Sequence, residues 1–247
     1  MYDPPGYVWA ISLAGVIAVP AATCVLLYGG ALRAGLGRRP AAVLAGGAAI
    51  VLGGWTAASA VIADHGWYHT RLGHGVPWMP VAVVGFLLLL LALRRIPMVA
   101  SALAAPGMTN RLEAPHVFRV AGVAFLITMA LGQLPALFAL PAGLGDIATG
   151  IAAVLLMLRP AGAGRRALLW LNSFGLADLV VALTLGALTA YQLIHVTPGG
   201  SAISTLPLAL VPTAEVPLLL ALHITSVSAL ARSSRAPLRA AAPLTVG

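Results

Sequence analysis

The chain has 247 residues, 60% of them hydrophobic and only 8% charged, with 14 basic side chains against six acidic ones. A soluble domain carries about 25% charged residues, and a mean hydropathy of +0.99 means more apolar surface than a core of this size can hide. A soluble globular fold and a disordered chain are both excluded, and the bilayer is the expected solvent.

The expected fold class is an all-α integral membrane protein, a single domain over residues 1–247 built as a bundle of seven transmembrane helices. A membrane-spanning helix needs about 20 mostly apolar residues. In chain order the candidate spans are 7–28, 41–63, 76–93, 117–140, 141–158, 168–195 and 206–230, followed by a short tail, 231–247. The first run follows a leader, Met1 to Gly6, that carries Asp3 and no basic residue, so it is not expected to be a cleaved signal peptide. It holds Cys24, the lone cysteine, which has no second thiol for a disulfide or a metal. Between the third and fourth spans, Ile96 to Pro106 is apolar but too short to cross, and is expected to lie along the inner interface.

Every basic residue is Arg, and the net charge is +8. These Arg residues flank apolar runs and form no basic stripe with interleaved aromatics, so nucleic acid is not an expected partner. They report orientation instead, because cytoplasmic loops collect basic residues. Arg33, Arg38 and Arg39; Arg94, Arg95, Arg111 and Arg119; Arg159, Arg165 and Arg166; and Arg232, Arg235 and Arg239 all fall on one side, and Arg71 alone on the other. The N-terminus is therefore expected outside and the C-terminus in the cytoplasm. An Arg-only, Ala-rich composition suggests a GC-rich genome and hence the cytoplasmic (inner) membrane of a bacterium. Asp3, Asp64, Arg71 and Glu113 are read as exposed or interfacial.

Ionisable groups at bilayer depth are expensive and usually mark a site or a pathway. Asp146, Asp178 and Glu215 lie inside apolar runs. Depths counted from span midpoints group Asp146, Glu215 and Gln133 toward the outside, and Asp178 with His223 toward the inside. Asp146 equally suits the first turn of the fifth helix, where a carboxylate meets free N–H groups. In the sixth span Asn172, Gly175, Asp178, Ala182 and Gly186 follow helical spacing as a small and polar stripe, which lets helices approach closely. In the seventh, Pro207, Pro212 and Pro217 bracket Glu215, so the helix there should lose backbone hydrogen bonds. Gly143-Leu-Gly-Asp146 reappears as Gly175-Leu-Ala-Asp178, a short internal similarity of the kind transporters carry at larger scale.

The outer loop from Asp64 to His74 brings Asp64, His65, His69 and His74 close in sequence, and imidazole with carboxylate suits zinc. The same loop also reads as an aromatic belt of Trp67, Tyr68 and Trp78 with solvated histidines. A retinal cofactor is excluded, since its Schiff base requires a Lys. Three functions fit the sequence. The first is a small-solute or cation transporter, or proton-coupled permease, using Asp146, Asp178, Glu215, Gln133, His223 and Asn172. The second is a metal-dependent membrane hydrolase with zinc at Asp64, His65 and His69. The third is a non-catalytic membrane subunit or sensor. Enzymatic activity is left open, with transport preferred.

Overall fold

The computed structural model describes residues 3–69, 75–159 and 162–240, the last eight as backbone. Among the described residues it is all-helical. The helices are α1 (Gly6–Arg33), α2 (Arg38–Asp64), α3 (Trp78–Leu93), α4 (Pro97–Leu103), α5 (Met108–Arg111), α6 (Val123–Ala130), α7 (Ala136–Met157), α8 (Arg165–Ala190) and α9 (Val216–Ala240). A nine-residue 3₁₀ helix, Ala114–Gly122, joins α5 to α6, and a π turn, Val211–Glu215, opens α9.

Six helices are long and apolar enough to cross a membrane, with the bent pair α3 and α4 as a seventh candidate. Large apolar side chains point outward along them, with Ile50 77% and Val25 72% exposed. Such a surface suits lipid and would aggregate in water. The segment Val211–Arg232 is the centre of the bundle: 72% of its apolar window is buried, against 11% for α2.

Local chemistry sets the breaks. Gly35, Gly66 and Gly132 have φ of +78°, +72° and +72°, a left-handed backbone that ends a helix at no steric cost only for glycine. Pro97 starts α4 and forces the preceding Ile96 into extended backbone at ψ 129°, so α4 leaves α3 at 86°. Close approaches follow the small residues. A Cβ on Gly30 of α1 would collide with the Ala102 carbonyl of α4, and one on Gly143 of α7 would sit 2.7 Å from Leu126 of α6.

The break between the fourth and fifth spans differs from the sequence expectation. It falls at residues 131–135, not at Leu140, and the fourth apolar segment begins at Met108. Gly132 and Pro135 supply the turn, whereas Pro141 sits inside the second turn of α7, where it removes one backbone hydrogen bond and the helix continues. The shift carries Glu113, His116 and Arg119 from a connecting loop into the bundle.

A buried polar cluster around Arg119

The 3₁₀ helix decides what the site contains. At about 3.0 residues per turn, side chains three apart stand above one another, so Glu113, His116, Arg119 and Gly122 line one inward face. All of them are buried, and Arg119 is 1% exposed. This corrects the reading of Glu113 as interfacial and of Arg119 as a cytoplasmic loop residue.

Arg119 holds two carboxylates at once. Its Nε donates to Asp146 Oδ1 of α7 at 2.7 Å, and its Nη2 donates to Asp178 Oδ2 of α8. Glycines let these groups meet. A Cβ on Gly122 would overlap Asp146, and a Cβ on Gly145 would overlap Asp178. The two copies of the internal similarity therefore supply the two arms of one clamp. Glu215, at the end of the π turn, packs against Gly15 of α1 and lies within electrostatic reach of Asp146 and Arg119.

A second layer continues from the guanidinium. Arg119 Nη1 lies 3.3 Å from His223 Nε2, and His223 Nδ1 lies 2.8 Å from Asn172 Oδ1. An amide oxygen only accepts, so Nδ1 carries the proton and Nε2 keeps its lone pair. Asn172 Nδ2 donates to Glu113 Oε1 at 2.8 Å, and Ser226 Oγ donates to the same oxygen at 3.0 Å. The His116 ring stacks on His223, with centroids 3.8 Å apart. Among the described residues, neither His116 nitrogen has a hydrogen-bond partner, nor does Glu113 Oε2. One ligand atom from each of Glu113, His116 and His223 lies within 4.8 Å of the others.

Two cavities reach this cluster from opposite ends of the bundle. One, of about 220 Å³, runs from Tyr191 and Ser204 down to Asp146, the only charged residue in its wall among the described residues. The other, of about 740 Å³, lies beside Arg33, Asn110 and Arg111 and reaches Glu113.

Of the residues singled out in the sequence, Asp146, Asp178, Asn172, His223 and Glu215 come together. Gln133 does not: it sits half-buried in the 131–135 turn with its amide toward the Leu131 carbonyl, so the expected outer grouping with Asp146 and Glu215 does not form. The two expected depth levels merge, because Arg119 spans from Asp146 to Asp178 and His223. Asp146 lies in the middle of α7, far from a helix start. At the end of α2 and in the loop that follows it, Asp64 and His69 are exposed, and His65 Nδ1 donates back to the Val61 carbonyl at 2.8 Å. Among the described residues these three do not form a ligand group, and His74 lies outside the described residues.

The proline expectation has a definite outcome. Pro217 cannot donate to the Thr213 carbonyl, and the indole N–H of Trp55 on α2 donates to it instead, at 2.8 Å. Thr213 Oγ1 is in turn 2.6 Å from Ser59, which meets Tyr68 at 2.9 Å. The freed carbonyl is thus satisfied by the protein itself.

No curated protein and no solved structure matches the chain. Residues 76–231 contain every member of the buried cluster and exclude Asp64, His65 and His69; they match the family described as Domain of unknown function (DUF8737), and the chain belongs to that family.

Proposed function

We propose that the protein is a proton-coupled transporter of a small solute or cation, embedded in the cytoplasmic membrane of a bacterium. Its helices would cross the bilayer seven times, counting α3 with α4 as one span, with the N-terminus outside. The Arg distribution supports this orientation even with Arg119 removed from the count. The turn at 131–135 and residues 191–210 carry no Arg, whereas Arg33, Arg38, Arg94, Arg95, Arg159, Arg165 and Arg166 gather at the other end.

One observation carries the reading: a single buried guanidinium is shared by Asp146 and Asp178 from two helices, and Asp146 also faces a cavity. A proton or cation arriving at Asp146 through that cavity competes with Arg119 for the carboxylate. Once Asp146 is neutralised, Arg119 is held by Asp178 alone, and the contact between α7 and the 3₁₀ helix weakens. Competition of this kind links occupancy to helix position, which coupled transport requires. Four carboxyl groups belong to a cluster with one guanidinium: Asp146 and Asp178 bond to Arg119, Glu215 lies within its electrostatic reach, and Glu113 joins through Asn172 and His223. Buried charge must be balanced, so the cluster has a standing demand for protons or cations.

The test is proton movement in proteoliposomes loaded with a pH-sensitive dye, under imposed Na⁺ or K⁺ gradients. Wild-type protein should move protons, and Asp146→Asn and Asp178→Asn should each abolish the flux. Flux that survives Asp178→Asn with Glu215→Gln, or its absence from wild-type protein, would overturn the proposal.

A further inference from the structure

We infer that Glu113, His116 and His223 form a buried binding site for a first-row divalent metal ion, with zinc the favoured occupant. Two imidazoles and a carboxylate are a donor set that zinc takes readily, leaving a further position for water.

The orphaned atoms point to a ligand. Glu113 and His223 are 1% and 0% exposed, and His116 is 0% exposed, yet both His116 nitrogens and Glu113 Oε2 lack partners. Buried polar atoms are ordinarily satisfied, and leaving one unsatisfied costs about 1–3 kcal/mol. One metal ion can take a His116 nitrogen and Glu113 Oε2 together, and these two unpartnered donors beside the His223 lone pair point to a common partner.

Asn172 arranges the other donors for it. Its Oδ1 fixes the proton of His223 on Nδ1, so Nε2 presents its lone pair, and its Nδ2 holds Glu113 Oε1, so Oε2 is the free oxygen. An outer hydrogen bond that sets ligand tautomer and orientation is a regular feature of metal sites. Ser226 adds a second hold on Glu113 Oε1. The donor atoms within 4.8 Å of one another need to close to about 3.4 Å for tetrahedral bonds of ~2.1 Å. His116 supplies that movement by turning out of its stack on His223, because no hydrogen bond restrains its ring. Arg119 Nη1, at 3.3 Å from His223 Nε2, yields the lone pair and keeps both of its carboxylates. The cavity beside Arg33 and Arg111 reaches Glu113 and gives the ion a route in. A divalent charge also offsets the excess of buried carboxyl groups.

The experiment uses the full chain in detergent, stripped with a chelator and reloaded with ZnCl₂, with bound metal counted by mass spectrometry. One zinc per chain is expected in wild-type protein and in His65→Ala/His69→Ala. His116→Ala and Glu113→Gln should lose it, and Asn172→Ala should bind about 10- to 100-fold more weakly. Co²⁺ titration of wild-type protein gives a readout that does not depend on any variant folding: it should develop visible d–d bands without thiolate charge transfer. Absence of those bands, zinc retained by the Glu113→Gln/His116→Ala double variant, or zinc lost from His65→Ala/His69→Ala would overturn the inference.

Discussion

Replacing Arg119 by Met keeps the length of the side chain and removes its charge, so the effect isolates the clamp. Arg119 is fully buried and bonded to carboxylates from two helices, Asp146 at 2.7 Å and Asp178. Removing one partner of a buried ion pair typically costs about 3–5 kcal/mol, because the remaining charge is left uncompensated. For a chain of this size each kcal/mol moves the midpoint by ~2–4 °C, so Tm should fall by about 6–20 °C. Intrinsic tryptophan fluorescence during heating in detergent measures this, since Trp55 reports directly on the bundle centre through its bond to Thr213. The companion variant Arg119→Met/Asp146→Leu/Asp178→Leu should recover most of the loss, as an apolar replacement of a buried ion cluster is close to neutral. A single variant within about 2 °C of wild type, or a triple variant less stable than the single one, would refute the assignment of Arg119 as the electrostatic centre of the fold.

Gly145→Ala should push α7 away from α8, since its Cβ would overlap Asp178. The expected destabilisation is about 1–3 kcal/mol by the same melt. Gly47→Ala in α2 meets nothing within 4 Å and should stabilise by about 0.5–1 kcal/mol through helix propensity. Trp55→Phe keeps the stacking on Phe86 but orphans the Thr213 carbonyl. It should cost about 1–3 kcal/mol, and Pro217→Ala in that background should restore part of it by returning a backbone donor; no recovery would break the link between the proline and the indole. A reporter fused after Arg235 should behave as cytoplasmic, and external behaviour there would reject the proposed orientation.

Why the sequence disclosed the helices more readily than the site follows from Glu113, His116 and Arg119. Segments long and apolar enough to cross lipid announce themselves by composition alone, and Asp146, Asp178 and Glu215 stand out because they interrupt apolar runs. Arg119 sits in a stretch with Arg111, Glu113 and Asn110 nearby, which looks like the polar edge of a loop. At about 3.6 residues per turn the series 113, 116, 119, 122 drifts around a helix and shows no face. At about 3.0 it lines up completely. The spacing was the available signal, and it has meaning only once the segment is known to be 3₁₀. Pro115 near its start removes a backbone donor from the first turn but does not by itself dictate the tighter winding.

The internal similarity is the other case where local pattern needed a distant partner. Gly143-Leu-Gly-Asp146 and Gly175-Leu-Ala-Asp178 each look like a small-residue stripe that ends in an acid, and either acid alone in lipid would be a burden. Their proximity is made possible by the glycines: Gly145 admits Asp178, and Gly175 leaves room for His223 with Arg119 beyond it. Close helix contact and charge pairing are therefore one device. A methyl group at Gly145 would strike the carboxylate before it could reach Arg119, so the small residues are as necessary to the cluster as the charged ones. The same logic separates α7 and α8 from α2, whose Gly46, Gly47, Gly53 and Gly54 face open space and touch no part of the cluster.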